Sequence, residues 1–130
     1  EYLLKIVNEF SDFSVMGHLD VIKRYDPNGI LDDDYVIDLI EPLLKKVIEM
    51  GKGIEVNTSS YRYNLPDLTP STRILKLYYD LGGRILTMGS DTHRIEQLKD
   101  HFEEIILQLK AIGFDELYTF DKMVAKPYKI

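Results

Sequence analysis

Apolar and polar residues follow two rhythms along the chain. Residues 15–19, 54–58, 85–88 and 117–120 are short apolar runs of β-favouring composition. Between them the spacing becomes that of amphipathic helices. The clearest helical stretch is 94–112, with apolar residues at 95, 98, 102, 105, 106, 109 and 112 and Gly113 as its stop. On this reading His101 sits mid-helix, beside the apolar stripe, with no chemistry. Ile74, Leu77, Tyr78 and Leu81 form a second stripe, which Thr69-Pro70 would open and Gly82-Gly83 would close. Residues 33–50 are helical as well, with Pro42 expected to kink or restart the helix and Gly51 and Gly53 punctuating its end. The chain opens in helical register, with Leu3, Ile6, Val7 and Phe10 on one face and no initiator Met. That opening is expected of a piece of a longer protein.

Strands separated by helices predict an α/β fold of about four parallel βα units, in a barrel or a doubly wound sheet. Segments 21–32 and 59–68 would be long βα loops. In both architectures ligands bind where such loops sit, at the C-terminal ends of the strands. No Gly-rich dinucleotide fingerprint, P-loop or internal repeat is present.

Composition narrows the chemistry. At 130 residues the chain is about one domain long. Its net charge of −6, with both signs interspersed, argues against nucleic acid as partner. There is no cysteine, so any metal site must use His, Asp and Glu. No apolar run approaches the roughly 20 residues of a membrane span, and no signal-peptide pattern is seen. The expected location is cytoplasmic, with no membrane partner.

Three of the strand ends carry polar pairs at i and i+2: His18 with Asp20, Glu55 with Asn57, and Asp91 with His93. A strand sends i and i+2 to one face. Buried carboxylates and imidazoles are costly unless paired or metal-bound. Singly, each has a plain structural alternative: a hydrogen-bonded His, Asp91 as a helix cap, Glu55 or Asn57 holding a loop. Jointly, His18, Glu55, Asp91 and His93 have the ligand chemistry of a hydrolytic metal centre. Arg24 and Arg62 follow the first two strand ends by a few residues. Each could fork onto a phosphate, or be a solvated loop charge.

These segments resemble a known family. Gly17-His18-Leu19-Asp20 with Ile22-Lys23-Arg24-Tyr25, Glu55-Val56-Asn57-Thr58-Ser59 with Tyr61-Arg62, Gly89-Ser90-Asp91-Thr92-His93-Arg94 and Ala111-Ile112-Gly113-Phe114 are similar, in order and spacing, to segments of histidinol-phosphate phosphatases of the polymerase-and-histidinol-phosphatase (PHP) type. The family commonly has a small residue at the Thr92 position. The resemblance covers nearly the whole chain.

It implies the C-terminal part of a distorted (β/α)7 barrel, with residues 1–130 as the C-terminal half of a PHP domain. It implies hydrolysis of a small phosphomonoester, L-histidinol phosphate, to L-histidinol and phosphate in histidine biosynthesis. His18, Asp91 and His93 match metal ligands and catalytic residues for divalent zinc, manganese or iron. Arg24 and Arg62 match phosphate-binding residues. Asp20 is assigned a supporting role, orienting a ligand or Arg24, and Glu55 and Asn57 are supporting residues.

The family's N-terminal His-x-His motif and its further His and Glu ligands have no counterpart here. The metal site is therefore expected to be incomplete, and the chain inactive alone. A half-barrel would also have open sheet edges, which predict a possible homodimer. Two other readings remain: a PHP phosphoesterase or nuclease acting on nucleic acid, and a non-catalytic barrel fragment serving as an assembly module.

Overall fold

The computed structural model describes residues 2–26 and 32–130. Glu1 and the 27–31 portion of the expected 21–32 loop lie outside the described residues. Helix α1 (Tyr2–Glu9) leads into strand β1 (Val15–Met16), and a 3₁₀ turn follows at Val21–Tyr25. A second 3₁₀ turn (Asp33–Tyr35) precedes helix α2 (Ile37–Glu49). Strand β2 (Gly53–Asn57), a 3₁₀ stretch (Thr58–Tyr63), helix α3 (Thr72–Asp80) and strand β3 (Leu86–Gly89) come next. The chain closes with a 3₁₀ turn (Ile95–Gln97), helix α4 (Phe102–Ile112) and strands β4 (Glu116–Asp121) and β5 (Val124–Lys129).

The first three strands form a parallel sheet in the order β1-β2-β3, with Val15 opposite Gly53 and Ile54 opposite Leu86. β2 is its central strand. Its Ile54 and Val56 are fully buried, as expected of a parallel strand covered by helices. Leu43, Leu44 and Val47 of α2, Ile74, Leu75 and Tyr78 of α3, and Ile105 and Leu109 of α4 complete the core with Leu86 and Leu117. Tyr78 keeps its ring in that core because its hydroxyl donates to the Ile85 carbonyl at 3.0 Å. Burial pushes its phenol pKa upward.

The expectation of four parallel units is corrected at the fourth. β4 joins no parallel ladder; it pairs antiparallel with β5, Glu116 opposite Lys129 and Asp121 opposite Val124. The connection is the two-residue turn Lys122-Met123, both with positive φ (50° and 65°). That geometry suits the right-handed twist of a hairpin, and Asn-Gly or Asp-Gly is its usual signature. Lys-Met carries no such signature, so the sequence pattern did not reveal β5. Pro127 fits β5 because the strand is an edge.

Three helical expectations also change. The 94–112 stretch is not one helix: only Phe102–Ile112 is α-helical. Ser71, not Thr69-Pro70, caps α3, accepting from the Ile74 amide at 3.3 Å. The 33–50 stretch begins with a 3₁₀ turn, and Pro42 is then carried inside α2. Among the described residues no helix is long and apolar enough to cross a membrane.

Candidate active site

The C-terminal ends of β1, β2 and β3 bring most of the expected residues into one neighbourhood. Glu55 is the centre of it. A Cβ on Gly89 would lie 2.5 Å from Glu55 Oε1, and one on Gly17 would lie 3.0 Å from Oε2. The carboxylate thus fills the space that side chains on the two flanking segments would take. Two glycines in the neighbouring segments make room for one acid. The His18 Nδ1 stands 4.0 Å from Glu55 Oε2. Gly89→Ala should therefore displace the Glu55 carboxylate while leaving the sheet paired. The expected outcome is a shift of the Gly17 and His18 amide resonances with a melting temperature close to that of the parent, read by NMR beside calorimetry.

The His18–Asp20 pair is not a strand pair. β1 ends at Met16, and His18 takes a left-handed φ of 54°. That turn sends its imidazole outward, half-exposed, and sends Asp20 inward to 2% exposure. Asp20 acts on Arg24 only through the turn that carries it. Its Oδ2 accepts from the Ser71 amide at 2.9 Å and meets Lys23 Nζ at 3.1 Å. Lys23 also donates to Asp33 at 2.5 Å, and Asp33 accepts from the Ser71 hydroxyl at 2.7 Å. A partly buried cluster of two carboxylates and one ammonium thus ties the Val21–Tyr25 turn, which carries Arg24, to the start of α3.

Burial pushes the Asp20 carboxyl above its ordinary range, and Lys23 offsets only part of that. For Lys23, burial pulls the ammonium pKa down, but the Asp33 and Asp20 carboxylates together outweigh it and the net direction is up. The two directions are compatible: one cation shared by two acids is held tightly, while the buried acid with half a partner favours a proton.

Asn57 is buried and structural. Its side chain accepts from the Ser59 amide at 2.9 Å, capping the 3₁₀ stretch that carries Arg62, and its own amide donates to the Thr69 carbonyl. Ser59, which the sequence pattern did not single out, accepts from Arg24 Nη2 at 2.9 Å. The Arg24 guanidinium also lies over the Tyr63 ring, 3.9 Å from its centroid.

Both arginines converge on Asp91. Arg24 Nη2 is 3.9 Å from its carboxylate. Arg62 Nη2 donates to the Asp91 carbonyl at 3.0 Å and to the Ser90 carbonyl at 2.6 Å. Asp91 itself has φ 50°, another left-handed residue at a strand end. Two N–H groups, Arg24 Nε and Arg62 Nη1, are buried without a hydrogen-bond acceptor. His93 is exposed, its Nδ1 hydrogen-bonded to the Asp91 carbonyl at 2.9 Å. Ser90 and Thr92 share a hydroxyl–hydroxyl contact beneath the loop. Among the described residues, no three His, Asp or Glu side chains converge closely enough to hold a metal ion by themselves. His18 lies beside Glu55, and His93 is bonded to the Asp91 carbonyl; among the described residues they form no closed ligand set.

No family model matches the chain. A probable histidinol-phosphatase of Thermotoga maritima is 35% identical over 112 residues, covering 85% of this chain and 46% of the relative. A histidinol-phosphatase of Lactococcus lactis is 27% identical over 128 residues, 95% of this chain and 47% of the relative. The crystal structure of histidinol phosphate phosphatase from Lactococcus lactis, complexed with zinc, L-histidinol and phosphate, superposes with a TM-score of 0.78 at 22% identity, covering 95% of this chain and 48% of that one. The chain spans about half the length of the curated relatives it matches.

Fold and sequence together make the chain a relative of α/β phosphatases. More narrowly, most of its length is similar to about half of proteins named histidinol-phosphatase.

Proposed function

We propose that this chain supplies the phosphate-binding side of a histidinol-phosphatase site, for hydrolysis of L-histidinol phosphate to L-histidinol and phosphate. The observation that carries the reading is the meeting of Arg24 and Arg62 at Asp91, each with a buried N–H free of any acceptor. Buried guanidinium donors without acceptors are costly, and a phosphate oxygen would satisfy them. The similarity to histidinol-phosphatases supports the choice of phosphate ester.

The donor chemistry of His18, Glu55, Asp91 and His93 fits a divalent ion such as zinc, manganese or iron. In this reading His18, Asp91 and His93 would be its ligands, with Glu55 beside His18. The set is open, and the further donors would come from the portion of the relatives that this chain does not span. A bound divalent ion supplies an activated water and neutralises charge on phosphate oxygens. The chain's own residues do the rest. Arg24 and Arg62 orient the phosphate. Tyr63 and Ser59 hold the Arg24 fork in one plane. The Arg62 bonds to the Ser90 and Asp91 carbonyls hold the loop that presents Asp91. Residues 1–130 thus form, on this reading, the C-terminal half of a PHP barrel.

The test is phosphate release from L-histidinol phosphate, with zinc or manganese added, by this chain and by a protein in which it is joined to the remaining half. Activity in the joined protein alone is the expected result. No activity in either would overturn the assignment.

Self-association is part of the same proposal. The β1 edge opposite β2 pairs with no described strand. Tyr2 and Phe10 at the ends of the α1 segment are 75% and 54% exposed. Light scattering at high concentration should report a dimer or larger species, and a clean monomer would remove this part of the reading.

A further inference from the structure

Residues 94–112 have helical spacing, yet the backbone leaves helical geometry after Gln97 and regains it at Phe102. Within this break Lys99 and His101 both hold φ at 58°. The left-handed region is unfavourable for residues with a Cβ. Such strain persists only where surrounding contacts impose it, and it concentrates at functional sites.

The contacts that impose it lead to Arg62. Asp100 Oδ2 faces Arg62 Nη1 at 3.9 Å, the N–H-bearing nitrogen that has no hydrogen-bond acceptor. Asp100 Oδ1 is 3.5 Å from His101 Nε2. The His101 ring stacks on the Tyr61 ring, centroids 4.0 Å apart and planes 7° from parallel. Its Nδ1 meets Glu104 at 3.1 Å. Tyr61 in turn accepts from Gln108 Nε2 of α4 at 3.1 Å. Tyr61 and Arg62 are neighbours on the same 3₁₀ stretch. The break therefore lays one acid against the guanidinium and one imidazole against the adjoining phenol.

We infer that Asp100 and His101 are positioning residues for Arg62: His101 docks the start of α4 on Tyr61, and Asp100 fixes the guanidinium from the side away from Ser90 and Asp91. The inference rests on the phosphate-binding reading of Arg62 for its functional meaning, and on the contacts alone for its structural one. Three groups then constrain the fork: two backbone carbonyls on Nη2 and a carboxylate near Nη1. An arginine so held reaches a phosphate with less loss of side-chain freedom. The 3.9 Å spacing leaves Nη1 without a full hydrogen bond to Asp100, so it keeps donor capacity for a ligand oxygen.

Asp100→Asn, His101→Ala and His101→Phe separate the parts. The readouts on the full chain are the Arg62 Nε–H resonance, the Ser90 and Asp91 amide resonances, and the affinity for inorganic phosphate by calorimetry. Asp100→Asn should shift the Arg62 resonance and weaken phosphate binding about fivefold, an effect of the size of one partly exposed ion pair. His101→Ala should perturb the Arg62, Ser90 and Asp91 resonances. His101→Phe, which keeps a flat ring on Tyr61, should restore most of the parent pattern. A merely structural role for the segment would change melting temperature without a selective shift at Arg62. Unmoved Arg62, Ser90 and Asp91 resonances in both Asp100→Asn and His101→Ala would overturn the inference. Should the parent chain bind no phosphate at all, the functional reading of Arg62 fails while the resonances still decide whether Asp100 and His101 position it.

Discussion

Replacing Arg62 with Ala should lower kcat/KM for L-histidinol phosphate about 100-fold or more in the joined protein, and replacing Arg24 should lower it somewhat less. Both side chains are assigned to the same phosphate, so the difference lies in what else each one holds. Arg24 donates to Ser59 and stacks on Tyr63, contacts that orient Arg24 itself. Its loss removes a donor and leaves the Asp91 carboxylate without its neighbouring charge. Arg62 holds the Ser90 and Asp91 carbonyls. Its loss removes a donor, strands two carbonyls, and releases a loop whose Asp91 already sits at a left-handed φ. Arg62→Ala should thus lower kcat and raise KM, whereas Arg24→Ala should act mainly on KM. Arg24→Lys keeps the charge but loses the fork and the stacking, and should recover only a minor part of the loss. Steady-state phosphate release over a range of substrate concentrations checks all three. Equal, small effects on kcat/KM from both alanine variants would remove the arginines from the site.

How much of this was legible beforehand follows from where each signal resides. Side-chain chemistry at strand ends is written locally, so Arg24, Arg62, Glu55 and Asp91 could be read from short segments; the two arginines meet Asp91, and Glu55 lies beside His18. The core helices were legible for the same reason: Ile74 and Tyr78, or Ile105 and Leu109, lie at helical spacing and are buried. The role of Asp20 was not legible, because it depends on a left-handed turn at His18 and on a partner, Ser71, 51 positions away. The break before α4 was hidden for a related reason. Leu98 and Ile95 keep the helical rhythm while being 66% and 87% exposed, so the pattern continues where the helix does not. The glycines that shelter Glu55 were visible as residues. Their meaning emerges only when Gly17 and Gly89 come to either side of one carboxylate. β5 was hidden by a turn whose residues carry none of the usual preference for positive φ.

Lys23→Met should destabilise the fold by about 3 kcal/mol at neutral pH, since it removes the ammonium that bridges Asp20 and Asp33 and leaves the buried Asp20 charge without its ion-pair partner. Asp20 is 2% exposed and one of its oxygens, Oδ1, has no hydrogen-bond partner even with Lys23 present. Without the ammonium, the Ser71 amide still donates to Asp20 and the Ser71 hydroxyl to Asp33. The pH dependence has a definite sign. The Asp20 pKa is already raised in the folded state, first by burial. A raised carboxyl weakens the fold above its folded pKa, and this penalty is relieved as pH falls toward the ordinary value of 3.8. Removing Lys23 takes away the main group that holds this pKa down and leaves only the Ser71 amide of those named, so the variant should be most impaired at neutral pH and approach the parent as the medium is acidified. At the alkaline end the sign reverses for the parent. The Lys23 pKa is raised by Asp33 and Asp20 against its own burial, so its contribution is present below the ordinary 10.5 and is lost as pH rises through the folded value. The variant has no such loss, and the gap between the two proteins should narrow there too. Denaturant midpoints at acidic, neutral and alkaline pH measure the whole profile. Because the same cluster anchors the turn that carries Arg24, phosphate affinity should fall with stability at neutral pH. A Lys23→Met chain as stable as the parent at neutral pH would show that the Val21–Tyr25 turn is held by something other than this charge cluster.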